Sequence, residues 1–277
     1  MSGVRRAVIT AGGRATRMLP ISRGIQKSML PIVDLPVIYY LVEEAVNSGI
    51  TDILIILGER DTPIEKFFAS FLADGDALSG VRISYAYQQE PTGLAHAVML
   101  AREFVSDEPF LVLYGDDVIF SDVPVSRQLI CAYEKYGCTI LGVQSVEKDK
   151  LSQYCSLRIS DSIIEKGIHE CLGVIEKPGE GEGYSSLSIL GRVLLTSDIF
   201  AVIERLAPGR GGEYQLTDAI DLLVRSKRTM ALEFSGDRYD LGSKIGFLKA
   251  NVAVGLKHEE TAAEFRQFLE ELTDKWI

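Results

Sequence analysis

Cysteine is scarce in this chain, four among 277 residues, and Cys131, Cys138, Cys155 and Cys171 form no CxxC pair. No histidine stands at ligand spacing from them, so neither a disulfide framework nor a zinc site is expected. Long apolar runs are missing too: nothing approaches the roughly 18 to 20 consecutive apolar residues of a membrane-spanning helix. After Arg5 and Arg6 only four apolar residues follow, Ala7, Val8, Ile9 and Ala11, too few for the apolar core of a secretory signal. These absences lead to the expectation of a reduced, cytoplasmic protein with no membrane partner. Positive charge is the third shortage, with 29 Lys and Arg against 39 Asp and Glu, formally −10. A field of that sign repels polyanions and argues against nucleic acid as a partner. An anionic ligand would need its few cations placed locally, or the help of a metal.

What the chain has is an ordinary globular composition, 47% apolar and 25% charged, enough for one large domain with an appended part. Short β-branched runs alternate with amphipathic stretches, the pattern of βαβ units in a mostly parallel sheet. Strands are expected at 6–10, 52–57, 81–87 and 110–114, and helices at 37–48, 64–72 and 93–104, the last capped by Thr92. Gly49 suits the left-handed position after the 37–48 helix. From about 145 the texture becomes mixed, with strands at 154–159, 172–176, 187–195 and 230–234 and helices at 197–206 and 216–225. Residues 244–277 read as two helices. The expected organisation is thus a single α/β domain of three parts, 1–144, 145–243 and 244–277.

Ligands of parallel sheets sit at the carboxyl ends of strands. Two such ends attract notice, the small-residue loop Ala11-Gly12-Gly13 after the first strand and the Gly115-Asp116-Asp117 turn after the fourth. Glycines let backbone N–H groups approach phosphate oxygens, and Arg17 and Lys27 follow in the same segment as two cationic arms. The loop has neither GxxxxGK[ST] nor GxGxxG, which argues against a Walker loop and a dinucleotide oxidoreductase. By itself it is equally a tight turn. Asp116 alone is better read as a turn residue after a strand.

The run AGGRATRMLP…QKSMLPIVDLPVIYY resembles the AGGxGTRLxP…PKxMLPxxxKPxIxY signature of the sugar-phosphate nucleotidyltransferases. GLAHAV, GVIEKP, GRVLL, EYQLTDAIDLL and YDLGSKIGFLKA follow in the family's order, from about residue 5 to the C-terminus. The last two look most like the bacterial branch that joins UTP to glucose 1-phosphate, whereas QQEPTGLAHAV…LVLYGDDVIF looks closer to the thymidylyltransferase branch.

The resemblance implies a Rossmann-like, mainly parallel sheet flanked by helices, a smaller sugar-binding part and C-terminal helices. It implies an enzyme taking UTP and a sugar 1-phosphate with Mg²⁺ as cofactor, working as a dimer or tetramer. Residue by residue, Ala11, Gly12, Gly13, Gln88, Gly93 and Asp116 would hold the nucleotide, and Arg17, Lys27 and Lys177 would do the charge work of catalysis. Glu176, Lys177, Cys155 and Ser186 fall on the sugar side, and Asp116 and Asp240 match the metal ligands. Gln88 matches the glutamine that reads the base edge, with Gln89 the alternative if the register is one residue off. His96 would pack and orient, without acid–base work; neither His169 nor His258 has a partner readable from sequence.

Four positions depart from the family pattern: Ala15 and Cys155 replace glycines, Gln26 a proline and Ser186 an asparagine. If the backbone at Ala15 needs a positive φ, its Cβ adds roughly 1–2 kcal/mol of strain. The thymidylyltransferase-like stretch leaves open dTTP in place of UTP, and these departures leave open another sugar phosphate or a sugar-nucleotide-binding regulatory paralogue.

Overall fold

A computed structural model describes residues 3–13, 16–60, 62–73, 78, 80–162 and 164–276. Ala15 lies outside them, so its backbone conformation is not described. Elements follow in the order β1 (Arg6–Thr10), β2 (Pro31–Ile32), β3 (Leu35–Pro36), α1 (Val37–Asn47), β4 (Asp52–Leu57), α2 (Pro63–Ala73), β5 (Arg82–Tyr87), α3 (Leu94–Met99), α4 (Arg102–Val105), β6 (Phe110–Tyr114) and β7 (Asp117–Phe120). Then come α5 (Val125–Tyr136), β8 (Thr139–Ser145), β9 (Cys155–Ile159), β10 (Ile168–Glu176), β11 (Leu187–Leu195), α6 (Asp198–Ile203), α7 (Leu216–Val224), β12 (Thr229–Glu233), β13 (Asp237–Asp240), α8 (Lys244–Gly255) and α9 (Ala262–Trp276).

Nine strands form one sheet in the order β5-β4-β1-β6-β11-β8-β12-β10-β9, in which β10 and β11 run against the rest. The fold is therefore mixed α/β with a mainly parallel central sheet. Its strands are apolar on both faces because helices cover both. On β1, β4 and β6, Ile9, Ile55 and Leu113 enter the core under α1, α2 and α5, while Val8, Leu54 and Val112 enter the one shared with α3, α6 and α7. Replacing any of these leucines or isoleucines with alanine costs about 2–5 kcal/mol. No helix among the described residues is long and apolar enough to cross a membrane.

Two local expectations need correction. The 93–104 stretch is two short helices, because Leu100 and Ala101 donate three residues back, to Ala97 at 3.1 Å and Val98 at 2.9 Å, and tighten the chain between them. Thr92 is not the cap. Gly93 occupies that position without a side-chain bond, and the Thr92 hydroxyl lies 2.6 Å from His96 Nδ1 instead. Among the features outside the sequence expectations are α5, the strands β2, β3 and β8, and the short strands β7 and β13, which pair antiparallel.

Candidate active site

The parallel register aligns the strand ends. Thr10 pairs with Ile56 and Tyr114, and Leu57 pairs with Tyr87, so Ala11, Gln88 and Gly115 leave the sheet along one edge. A cavity of about 830 Å³ opens there, with Ala11, Gly12, Gly13, Gln88, Gly93 and Asp116 in its wall, and Arg17 and Lys27 beside them. A second cavity of about 210 Å³ is lined by Cys155, Glu176, Lys177, Thr217, Arg238 and Asp240. Arg17, Leu94, Tyr114 and Asp116 belong to both walls, so the two cavities adjoin at those side chains.

The charges meet at Gly242. A Cβ built there would lie 2.5 Å from Arg17 Nη2, 2.6 Å from Lys27 Nζ and 2.7 Å from Asp240 Oδ1, so only glycine leaves room for all three. The pairing of β13 with β7 makes this possible by placing Asp240 opposite Asp117, while Leu241 N–H donates to the Asp116 carbonyl at 2.8 Å. Arg17, 223 residues from Asp240 in sequence, reaches its Oδ2 at 3.2 Å. Asp240 Oδ1 accepts from Gly242 N–H at 2.8 Å. Lys27 is ion-paired with Asp116. Partial burial raises the Asp116 pKa, but the Lys27 ammonium outweighs it and holds the carboxyl below the usual aspartate range.

Asp117 follows a turn, not a continuing strand, so simple alternation does not separate it from Asp116. Both line the smaller cavity. Burial pushes Asp117 up to about 6 against the pull of Arg238, whose Nη2 lies 2.7 Å from its Oδ1; the charges of Asp116 and Asp240 push the same way as burial. The Arg238 guanidinium in turn lies 5.2 Å from the Tyr154 ring centroid. Sequence reasoning missed Arg238, although its place two residues before Asp240 puts both on one face of β13.

Glu176 ends β10 and Lys177 follows it. Burial pushes Glu176 up, against its hydrogen bond from the Thr217 hydroxyl at 2.8 Å and the Lys177 charge 3.6 Å away. Lys177 has φ +43°, a left-handed conformation that a side-chain-bearing residue adopts at a cost of about 1–2 kcal/mol. Such strain persists where the surroundings impose it, commonly in ligand sites. Cys155 is buried, with Sγ accepting from Ile189 N–H at 3.3 Å and lying 3.4 Å from Ser188 Oγ. Burial pushes its thiol up to about 11. Ser186 lines neither cavity; its hydroxyl accepts from Ser145 at 2.8 Å.

Among the described residues no group of three or more His, Cys, Asp or Glu side chains converges as a metal cage. Asp116 and Asp240 nevertheless offer hard oxygen donors on a cavity fit for phosphates. That donor set suits Mg²⁺, which commonly takes one or two carboxylates and completes its shell with phosphate oxygens and water.

Comparison with known proteins agrees with this geometry. The nucleotidyl transferase family model matches residues 6–256. The chain is 41% identical to UTP–glucose-1-phosphate uridylyltransferase 2 of Staphylococcus saprophyticus, over 98% of this chain and 99% of that one. It is 40% identical to the Bacillus subtilis UTP–glucose-1-phosphate uridylyltransferase YngB, over 97% and 95% of the two chains. A solved UDP-glucose pyrophosphorylase complexed with UDP-glucose superposes with a TM-score of 0.86 at 33% identity, covering 92% of this chain and all of that one. With the strand-end cavities and their cations in place, these relationships identify the chain as a member of the nucleotidyl transferase family.

Proposed function

We propose that this protein joins UTP and glucose 1-phosphate to give UDP-glucose and pyrophosphate. An oxygen of the sugar phosphate attacks the α-phosphorus in line, and the bond from that phosphorus to the bridging oxygen breaks as pyrophosphate leaves with the electron pair. Both reactants are anions, so the protein contributes mainly position and charge neutralisation. The observation that carries this reading is the convergence of Arg17, Lys27 and Asp240 on Gly242 in the wall of the larger cavity, which adjoins the smaller one at Arg17 and Asp116.

The larger cavity takes the triphosphate, with Ala11, Gly12 and Gly13 presenting backbone and Gln88 and Gly93 the base-side wall. Lys27 and Arg17 exchange their carboxylate partners for phosphate oxygens, Arg17 following the charge of the departing pyrophosphate. In the smaller cavity Glu176 accepts from sugar hydroxyls, Lys177 binds the attacking phosphate and Cys155 forms part of the wall. Asp116 and Asp240 would hold Mg²⁺, which supplies charge neutralisation at the phosphate oxygens when bound. The unpaired thiols support a cytoplasmic setting, and the exposed Ile245, Leu248 and Phe268 on α8 and α9 support a homo-oligomer.

Pyrophosphate release from UTP and dTTP, measured with Mg²⁺ against a panel of sugar 1-phosphates, tests the assignment. The expected result is fastest release with UTP and glucose 1-phosphate. Binding of UDP-glucose without release from any pair would replace it with a regulatory role.

A further inference from the structure

Gln88 leaves the end of β5 with only 7% of its surface exposed, yet it belongs to the wall of the larger cavity. Its amide nitrogen donates to the Gly93 carbonyl at 3.0 Å and lies 3.3 Å from His96 Nδ1. A carbonyl oxygen only accepts, so the atom facing Gly93 is the nitrogen and the amide has a single orientation. Gly93 cannot drift to accommodate the other one. Its φ is +129°, and a Cβ there would overlap the Tyr214 backbone, whose N–H also holds the Thr92 carbonyl at 2.8 Å.

The second amide hydrogen points at His96. That ring is fixed by the Thr92 hydroxyl, 2.6 Å from the same Nδ1. An amide nitrogen only donates, so its contact with Nδ1 is a hydrogen bond in the tautomer that carries the ring proton on Nε2, while the hydroxyl can pair with the ring in either tautomer. In that tautomer both amide hydrogens of Gln88 are used inside the protein, one on Gly93 and one on His96. Oε1 has no hydrogen-bond partner among the described residues and is not sealed from solvent, so it is the part of the amide left for a ligand.

We propose that His96 and Thr92 are positioning residues that make Gln88 an acceptor-only reader of the base, selecting uracil or thymine over cytosine. This rests on the nucleotidyl-transfer reading above. Uracil and thymine carry a hydrogen on ring N3 and donate it to Oε1. Cytosine N3 is a bare acceptor, so it would meet Oε1 lone pair to lone pair. Without an acceptor at position 96, one amide hydrogen is left unpaired and the Gly93 carbonyl alone holds the amide, so its orientation is less firmly fixed and discrimination against cytosine weakens.

The test uses the full chain and titration calorimetry with UTP, dTTP and CTP, alongside KM for each substrate. His96→Ala is expected to weaken UTP binding about tenfold, the worth of one hydrogen bond, and to lower the UTP-to-CTP affinity ratio by about as much or more. KM for glucose 1-phosphate stays unchanged. His96→Asn, whose carbonyl can accept, restores part of the ratio, and Thr92→Val lowers it less than His96→Ala. An unchanged ratio in both His96→Ala and Thr92→Val overturns the positioning role, and Thr92→Val decides alone if His96→Ala does not fold. A wild-type protein that binds none of the three nucleotides overturns the parent reading as well. A wild-type preference for UTP that survives both substitutions overturns the positioning role alone.

Discussion

Glu44 and Arg192 meet inside the protein as a two-pronged ion pair, Arg192 Nη2 lying 2.6 Å from Glu44 Oε2 and Nε 3.0 Å from Oε1. Arg192 has no exposed surface. Its Nη1 donates to the carbonyls of Asp117 and Gly191, both at 3.0 Å, and Glu44 also accepts from the Ser126 backbone N–H at 3.0 Å. One buried pair therefore ties α1, the start of α5 and β11 to the backbone beside Asp116. Glu44→Ala, which leaves a guanidinium buried without a counter-charge, is expected to cost about 3–5 kcal/mol in denaturant unfolding. The Glu44→Met/Arg192→Met double variant, with no stranded charge, should recover much of that loss; additive losses would sink this account.

Gly242 makes the opposite kind of prediction, a large loss of activity with a small change in stability. An added Cβ meets the far ends of Arg17, Lys27 and Asp240, which can move aside without disturbing the core. Moving them displaces the proposed phosphate partners. Gly242→Ala should keep its thermal midpoint within a few degrees while kcat falls roughly a hundredfold. Full activity in that variant would mean the three charges need not converge.

Asp116→Asn keeps the shape of the turn and removes the charge that pairs with Lys27. Turnover should fall at least about a hundredfold, with the Mg²⁺ concentration for half-maximal rate moving upward. Unchanged activity in this variant removes Asp116 from the metal site.

The strands that carry the site are legible in the sequence for a simple reason. β1, β4, β6 and β11 are built round apolar runs and are mostly buried, with Arg192 the charged exception inside β11, so local composition announces them with the observed bounds. β7 and β13 announce little: they are four residues each, DVIF and DRYD, and β13 carries charges where an isolated strand would want apolar side chains. Their pairing is long-range, and it is what brings Asp240 to Asp116. The cations were visible as residue types, but their meeting at Gly242 depends on that pairing. Thr92 departs from the cap expected of a threonine before a helix because its hydroxyl pairs with the nearby His96 ring.

Lys177 lies in the smaller cavity and Lys27 in the larger, so their losses should separate by substrate. Lys177→Ala is expected to lower kcat/KM for glucose 1-phosphate about ten- to a hundredfold while KM for UTP changes little. Its backbone adds a second readout. Lys177→Gly relieves the φ of +43° and should be at least as stable as Lys177→Ala while sharing its kinetic defect. A loss confined to UTP would place Lys177 on the wrong phosphate.

The acid limb of stability can be assigned at the start of α2. Glu65 Oε2 accepts from Thr62 N–H at 2.7 Å and from the Thr62 hydroxyl at 3.0 Å, and Oε1 accepts from the Tyr87 hydroxyl at 2.7 Å. Partial burial raises the Glu65 pKa, yet those hydrogen bonds to the charged form outweigh it and hold the carboxyl below the usual glutamate range. A carboxyl depressed on folding contributes stability above its unfolded pKa, and that contribution is lost as pH falls through the folded value. Glu65→Gln should therefore be less stable than the parent by about 1 kcal/mol at pH 7. The two proteins should converge as the solution is acidified past the point where the parent carboxylate takes up its proton. Denaturant midpoints measured across that range decide the matter: a gap that stays constant down the acid limb assigns the effect to side-chain shape, and a gap that closes assigns it to the carboxylate.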